Sequence, residues 1–175
     1  MSSPRWLGRV RISIADALIP PTPVYAHCDI PCGIYDPHEA QISALTVVRM
    51  MQLIGELPKS AAKPDEVEAN QAKLARYMVV KESHCERVKS ELRILWGDYF
   101  TPDHAKQFPT LHESFWKAMK TASKARQGTN LADAQELLGQ VQAIAEMFWK
   151  SKGASTHRVP SMQKAGGEMV YPAPA

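Results

Sequence analysis

Apolar positions between residues 37 and 152 recur at the spacing of an α-helix. Apolar side chains three and four positions apart share one helical face, so the pattern predicts four amphipathic helices. The predicted inward stripes are Val47, Met50, Met51 and Ile54; Leu74, Met78, Lys81, Cys85, Val88, Leu92 and Leu95; Leu111, Phe115, Ala118 and Ala122; and Leu131, Ala134, Leu138, Val141, Ala145 and Phe148. With short connections and no alternating strand pattern, we expect an all-α fold, an antiparallel four-helix bundle over residues 37–152.

The ends of the helical part carry recognisable signals. Asp36 can cap the first helix, Pro37 suits its first turn, and Glu39 can reach back to complete the cap. A capping box is expected at Thr110-Leu111-His112-Glu113. Residues 153–175 are rich in Gly, Ser, Pro and Ala, and we expect this tail to be disordered.

Residues 1–26 differ from the helical part. They hold three arginines, an apolar stretch that Arg11 and Asp16 interrupt, and then three prolines. A secretory signal would have an uninterrupted apolar core of about 7–15 residues. The segment ends in Val24-Tyr25-Ala26, which resembles the small-x-Ala pattern before a processing site. We therefore expect a removable leader or propeptide, and a disordered N-terminal arm is the alternative that composition leaves open.

Charge and hydropathy exclude several classes of function. The net charge is +3 and the sequence pI is about 8.8. The excess lies in residues 1–26, with three arginines and one aspartate, and in residues 153–175, with one arginine, one lysine and one glutamate. The helical part is therefore close to neutral, so we expect no nucleic-acid partner. No run approaches the ~20 apolar residues of a membrane helix, so we expect no membrane span either.

The segment from His27 to Pro37, HCDIPCGIYDP, carries the candidate chemistry. Two thiols and an imidazole fall within six residues, and Pro31 and Gly33 flank Cys32, so a tight turn can bring both sulfurs to one point. Thiolates and imidazole are metal ligands. A structural zinc site needs four ligands, and here there is one Cys pair. Spacing alone favours a redox dithiol or ordinary loop cysteines over a metal site.

The expected leader could supply the missing donor. Cleavage after Ala26 would give His27 a free α-amine. That amine, the deprotonated amide of Cys28 and the thiolates of Cys28 and Cys32 could form a planar set of two nitrogens and two sulfurs. The imidazole of His27 could add an axial ligand. Planar coordination with nitrogen donors suits Cu(II) or Ni(II).

Three strings resemble one known family. HCDIPCGIYDP closely resembles the N-terminal nickel hook of nickel-containing superoxide dismutases, whose mature chains begin at the histidine. WGDYFTPDHAKQFPTLH, from Trp96 to His112, resembles a second block of that family, and FWKSK, from Phe148 to Lys152, resembles a third. The resemblance covers roughly residues 27–152.

This resemblance implies a hook at residues 27–36, before a bundle that assembles as a homohexamer with one nickel ion per mature chain. It implies that superoxide is disproportionated to dioxygen and hydrogen peroxide as nickel cycles between Ni(II) and Ni(III). The implied nickel ligands are His27, Cys28 and Cys32. Tyr35 and Tyr99 resemble the tyrosines that border substrate access.

Two other hook residues also carry over from the family. Pro31 resembles its cis-proline, and Asp29 resembles the residue that ties the hook to the protein. Three positions depart from the best-known members. Ser43 stands where some carry a glutamate that orients the hook imidazole, His84 where an arginine supports it, and Thr101 where a lysine often follows the Tyr-Phe pair.

Several expectations concern partners and compartment. A maturation protease that cuts before His27 is implied, and the uncleaved chain should lack the complete nickel site. The dithiol must stay reduced until nickel arrives, which favours a bacterial cytoplasm. Two alternatives remain open: a non-catalytic nickel- or thiol-binding helical module, and a helical interaction protein. A store would not need Tyr35 and Tyr99.

The remaining cysteine and three tryptophans are expected to pack rather than react, and three histidines are given no role in the chemistry. Cys85 falls on a predicted inward stripe and is expected to be a core thiol. The same expectation applies to Trp96, Trp116 and Trp149. The histidines without ligand-like partners at useful spacing are His104, His112 and His157.

Overall fold

The computed structural model of this 175-residue chain describes residues 33–60 and 63–173. Five helices, a π-helical turn and two strands follow one another in these ranges. They are α1 (His38–Glu56), α2 (Pro64–Ile94), the π-helical turn (Leu95–Tyr99), α3 (Pro102–Gln107), α4 (Leu111–Gln127), α5 (Leu131–Ser151), β1 (Thr156–Pro160) and β2 (Glu168–Pro172).

Helices α1, α2, α4 and α5 form a closed four-helix bundle. Each of them packs against two others, in the order α1, α2, α4, α5 and back to α1. Helices α2 and α4 run antiparallel, since Trp96 meets His112 at one end and Lys81 meets the carbonyl of Arg126 at the other. This confirms the predicted bundle, to which α3 adds a six-residue helix that the apolar pattern did not indicate.

The bundle core consists of the predicted stripes of α4 and α5, the second half of the stripe of α2, and buried residues of α1 that include Val47 and Met51 of its predicted stripe. Phe115 on α4 and Phe148 on α5 are fully buried. The alanines among these positions let the helices approach closely, and the aromatic rings fill the space that remains. None of the helices in the described ranges is both long enough and apolar enough to cross a membrane.

Two predicted packing positions are wrong. Leu74 is 39% exposed, because α4 ends beside Lys81 and leaves the first turns of α2 uncovered on that side. Trp116 is 55% exposed on the outer face of α4, next to the fully buried Phe115.

The helix caps differ from the predicted ones. Asp36 accepts a hydrogen bond from the backbone N–H of His38 at 2.6 Å, whereas Glu39 pairs with Arg87 of α2 at 3.1 Å instead of reaching back. Helix α4 starts at Leu111 as expected, but Thr110 makes no side-chain cap. A capping box forms instead at the start of α3, between Thr101 and His104.

The expectation of a disordered tail is wrong for residues 153–173. These residues form an antiparallel hairpin, here called the C-terminal hairpin, in which Thr156 pairs with Pro172 and Pro160 with Glu168. Met169 and Val170 of β2 are buried against the bundle. Low hydrophobicity favours disorder only when a segment finds no partner surface, and here the outer faces of α1 and α5 supply one.

Candidate metal centre and substrate access

The predicted metal ligands His27, Cys28 and Cys32 lie outside the described residues, as do Asp29 and Pro31. Within residues 33–60 and 63–173, no group of three or more His, Cys, Asp or Glu side chains could hold a metal ion. What the described part contributes is the segment that continues directly from Cys32 and the residues packed around it.

Residues 33–37 lead from the predicted ligands into α1. Gly33 has a φ of +71°, a backbone conformation that side chains with a Cβ rarely adopt. Ile34 is 76% exposed, whereas Tyr35 packs against the bundle core. Asp36 then fixes the start of α1 through the N–H of His38. The segment is thus anchored at Tyr35 and Asp36, immediately after the predicted hook ligands.

Tyr35 and Tyr99, the two tyrosines expected from the sequence, lie together. Their ring centroids are 5.5 Å apart and the rings are tilted by 54°. They come from positions 64 residues apart in the chain, so only the fold brings them into contact. This contact links the segment after Cys32 to the end of α2.

Tyr99 occupies an aromatic cluster at that end of the bundle. Its ring centroid lies 4.6 Å from that of Phe148, 5.0 Å from that of Phe100 and 5.5 Å from that of His104, on which it stacks at 16°. Tilted and edge-on aromatic pairs of this kind stabilise one another beyond simple area burial. The cluster therefore holds the Tyr99 ring in one orientation.

The hydroxyl of Tyr99 is also fixed. Its oxygen lies 2.7 Å from Oγ of Ser151. The Ser151 hydroxyl donates to the carbonyl of Phe148 at 2.7 Å. A serine hydroxyl has one hydrogen to donate. Because Ser151 uses it on Phe148, Tyr99 must be the donor to Ser151. The lone pairs of the Tyr99 oxygen remain as acceptors.

Lys152 places a positive charge beside the same cluster. Its Nζ lies 5.5 Å from the ring centroid of Tyr99 and 5.0 Å from that of Phe148. Both distances are within the range of cation–π attraction. The cation is thereby held close to Tyr99.

The π-helical turn positions Tyr99. The N–H of Phe100 donates to the carbonyl of Leu95 at 3.0 Å, five residues back instead of four. The wider turn changes the direction of the side chains that follow it, and Tyr99 is its last residue. Such turns occur frequently at functional sites.

The three positions that depart from the family have distinct environments. Ser43 is fully buried in α1, and its Oγ has no hydrogen-bond partner among the described residues. Nδ1 of His84 lies 2.9 Å from the carbonyl of Val80. A carbonyl only accepts, so Nδ1 carries the hydrogen and Nε2 is the acceptor nitrogen when the ring is neutral. Thr101 caps α3.

Cys85 is a buried core thiol, as predicted. Burial raises its pKa to about 11, although Lys81 acts in the opposite direction. A thiol that stays protonated at neutral pH is neither a good nucleophile nor a ready metal ligand. Lys81 is itself fully buried, and its Nζ donates to the carbonyls of Arg126 and Gly128 at 2.8 and 2.5 Å. It thus closes the end of α4, and burial lowers its pKa.

Sequence reasoning missed three neighbours of Tyr99. His104 has the spacing of a capping box after Thr101-Pro102, which was a usable signal. Ser151 and Lys152 follow Phe148 by three and four positions and so share its helical face. The approach of that face to Tyr99 depends on tertiary packing and has no signal in the sequence.

Comparison with known families gives a match over residues 22–152 to the model described as nickel-containing superoxide dismutase. The chain is 36% identical over 138 residues to a superoxide dismutase [Ni] of Streptomyces seoulensis, an alignment that covers 77% of this chain and 95% of the relative. It is 34% identical over 135 residues to the enzyme of the same description from Streptomyces coelicolor, with the same coverage.

Solved structures agree with the sequence matches. A crystal structure of a nickel-containing superoxide dismutase after partial X-ray-induced reduction aligns with a TM-score of 0.63 and 34% identity, over 73% of this chain and 100% of the other. A native nickel superoxide dismutase structure aligns with a TM-score of 0.62 and 32% identity, over 72% of this chain and 99% of the other.

Proposed function

This chain belongs to the nickel-containing superoxide dismutase family, and we propose that its superoxide dismutase activity depends on nickel bound by His27, Cys28 and Cys32 after cleavage before His27. The reaction consumes two superoxide anions and two protons, and it yields dioxygen and hydrogen peroxide. The observation that best supports a catalytic centre, rather than a store, is the contact between Tyr35 and Tyr99 next to the predicted hook.

The donor chemistry of residues 27–32 fits nickel. His27 would provide its α-amine, Cys28 its amide nitrogen and thiolate, and Cys32 its thiolate. Nitrogen and sulfur donors of this kind suit Ni(II). Bound nickel supplies one-electron oxidation and reduction between Ni(II) and Ni(III). Electron-rich thiolate and amide donors favour the higher oxidation state, so the ligand set tunes the potential.

The tyrosine pair would orient substrate and water beside that ligand set. Because the Tyr99 hydroxyl donates to Ser151, its oxygen presents lone pairs and can accept a hydrogen from water or another hydroxyl. Tyr35, three positions after Cys32, brings a second hydroxyl into the same region. Fixed hydroxyls of this kind can hold the water that relays protons to the reduced product.

Lys152 would guide the anionic substrate. Superoxide is small and singly charged, so local positive charge raises its concentration at the entrance more effectively than shape can. Thr101 is neutral, whereas the Lys152 cation stands over the ring of Tyr99. The charge that a lysine at position 101 would provide is therefore supplied from the end of α5.

The cleavage requirement can be tested with two chains that differ by one residue. One begins at His27 and the other at Ala26, and both are loaded with nickel. The His27 chain should catalyse superoxide decay in pulse radiolysis, whereas the Ala26 chain should lose nearly all activity because its amine is displaced from the ligand set. Equal activity in the two chains would contradict the amine as a ligand.

Cysteine variants provide the matched control. Cys32→Ser should abolish nickel binding and activity, whereas Cys85→Ser should preserve both, since Cys85 is buried and protonated.

Native mass spectra of the same proteins would test the assembly, a homohexamer with one nickel per chain. A monomer with full activity would exclude the hexamer as a requirement.

His84 is the candidate for support of the His27 imidazole. Its Nδ1 is committed to Val80, which leaves Nε2 as an acceptor for a ring N–H. His84→Ala should change the electron paramagnetic resonance spectrum of oxidised nickel, because the His27 imidazole that would hold the metal would lose a hydrogen-bond partner. An unchanged spectrum would remove His84 from the site.

Two further proposals concern maturation and compartment. A protease that cuts after Ala26 would release the amine, and the thiols of Cys28 and Cys32 would need a reducing bacterial cytoplasm until nickel binds. Analysis of the protein from its own host should give chains that start at His27 in the cytoplasmic fraction. Active chains that retain residues 1–26 would contradict this maturation route.

A further inference from the structure

The C-terminal hairpin lies beyond residues 22–152, the part of the chain that matches the family. It packs on the outer faces of α1 and α5, where Met169 and Val170 of β2 are buried. Ser161 closes the turn between its strands through the carbonyls of Gly166 and Gly167. This chain therefore carries a docked element outside the matched bundle.

Gln41 holds the hairpin at the first half of α1. Its Nε2 donates to the carbonyl of Val170 at 3.1 Å, and its Oε1 accepts from the N–H of Val170 at 2.7 Å. Both groups are buried. The side-chain amide thus satisfies the free edge of β2 as a neighbouring strand would. Loss of the amide would leave two buried backbone groups unpaired, which is costly.

Other contacts hold the hairpin farther along the bundle. Gln142 of α5 donates to the carbonyl of Glu168 at 2.7 Å and accepts from Arg158 at 3.0 Å. Gln52, in the second half of α1, donates to the carbonyl of Ala165 at 3.0 Å. Gln41 and Gln52 therefore make the same kind of contact to the hairpin at opposite ends of α1.

The contact at Gln41 lies near the origin of the metal-binding segment. Tyr171, the residue after Val170, places its ring 6.1 Å from that of His38, the first residue of α1. His38 follows Cys32 by six positions. On its other side, the first turn of α1 is held by the ion pair between Glu39 and Arg87. The hairpin thus fixes the start of the helix from which residues 27–32 extend.

We propose that the C-terminal hairpin is a positioning element of the metal centre and that Gln41 is its positioning residue. The proposal rests on the proposed nickel site at residues 27–32. A redox-active metal is sensitive to small displacements of its ligands, so the groups that anchor them influence its electronic structure. By fixing the first turns of α1, Gln41 would fix the point from which the chain continues back to residues 27–32.

The test compares Gln41→Met with Gln52→Met in the full chain. Methionine keeps the length of the side chain and removes both hydrogen-bonding groups. Hydrogen exchange is measured on the metal-free protein, and electron paramagnetic resonance on the oxidised nickel form of the cleaved protein. Gln41→Met should speed exchange over residues 33–45 at least tenfold and shift the nickel signal. Gln52→Met should change exchange near Ala165 and Arg49, its two hydrogen-bond partners, and leave residues 33–45 and the nickel signal unchanged.

The outcomes separate this proposal from the nickel assignment. If Gln41→Met speeds exchange in β2 and leaves both residues 33–45 and the nickel signal unchanged, the hairpin has no positioning role. A wild-type protein without any nickel signal would refute the proposed site, and the positioning of that site by Gln41 would fail with it. If Gln41→Met does not fold, Gln41→Glu replaces it, because a carboxylate can still accept from Val170 N–H; it should show smaller shifts in the same two measurements.

Discussion

Inside the helical bundle the buried positions are mostly apolar, whereas the C-terminal hairpin meets the bundle through two buried apolar side chains and a set of amide hydrogen bonds. Phe115 and Phe148 fill the space between helices. Gln41 and Gln142, by contrast, make hydrogen bonds to the backbone of β2. The first kind of contact depends mainly on the apolar pattern along the helix. The second depends on the position of a backbone group that is distant in the sequence. The bundle is therefore readable from sequence, and the hairpin is not.

The largest effect should come from the bundle. Phe115→Ala removes a fully buried ring that stacks on Trp96 and meets Phe100 edge-on. We expect a loss of about 3–5 kcal/mol in the free energy of unfolding, because such a truncation leaves a cavity. Urea denaturation followed by circular dichroism would measure it. The adjacent Trp116→Ala is the control, and it should cost well under half as much since Trp116 is half exposed.

The same variant, measured by hydrogen exchange, tests whether the hairpin depends on the bundle. An isolated two-stranded hairpin is marginally stable at best in water. Exchange protection of the amides that pair β1 with β2 should therefore disappear together with that of the helices in Phe115→Ala. Persistence of hairpin protection after the helices unfold would show that the two regions are independent.

The sequence predicted the bundle because each of its main determinants is local. The stripes of α4 and α5 are buried almost entirely as predicted. Tyr35 and Tyr99 are in contact, and their role at the substrate access stays a prediction. The predicted burial of Leu74 was wrong because burial also needs a helix opposite the residue. The predicted disorder of the tail was wrong because the sequence does not show that Gln41 contacts Val170, which is 129 positions away.

The candidate site also has one part that the sequence predicts and another that depends on tertiary packing. Ligand types and the order of residues in HCDIPCGIYDP are properties of the sequence. The environment of Tyr99 is not, since Ser151 and Lys152 reach it only through the packing of α5 against the π-helical turn. The direction of the Tyr99 hydroxyl follows from the hydrogen bond that Ser151 makes to Phe148, which no pattern encodes.

A pH dependence should come next in size, and it belongs to the bundle alone. The pKa of Cys85 is about 11 in the folded protein against 9.0 when unperturbed. Between these values the unfolded chain loses the thiol proton and the folded chain keeps it, so stability present below pH 9 declines as the pH rises to 11. The shift corresponds to about 2–3 kcal/mol.

Chemical denaturation of wild type and Cys85→Ala from pH 8 to 11 would measure this loss. The burial of Lys81 acts in the opposite direction, because its lowered pKa favours the folded state as the pH rises. Lys81 is present in both proteins, but Cys85 raises its pKa, so the difference between them reports the thiol together with its coupling to Lys81. Parallel curves for the two proteins would mean that Cys85 ionises equally in the folded and unfolded states.

The smallest effect should come from the hairpin turn, where two adjacent glycines allow a matched test. Gly166 and Gly167 have φ values of +71° and +74°, so alanine at either position should cost about 1–2 kcal/mol of backbone strain. A Cβ on Gly167 would also lie 3.2 Å from Leu138 and 3.4 Å from Leu45, whereas a Cβ on Gly166 would meet nothing within 4 Å. Leu45 lies on α1 and Leu138 on α5, so Gly167→Ala should disturb the docking of the hairpin and Gly166→Ala only its turn.

Thermal unfolding of both variants would give the difference between their losses in free energy of unfolding, about 1 kcal/mol. If both variants lose the same free energy of unfolding, the contacts of the hairpin with Leu45 and Leu138 do not contribute to stability. The hairpin would then not be docked on the bundle in an energetic sense.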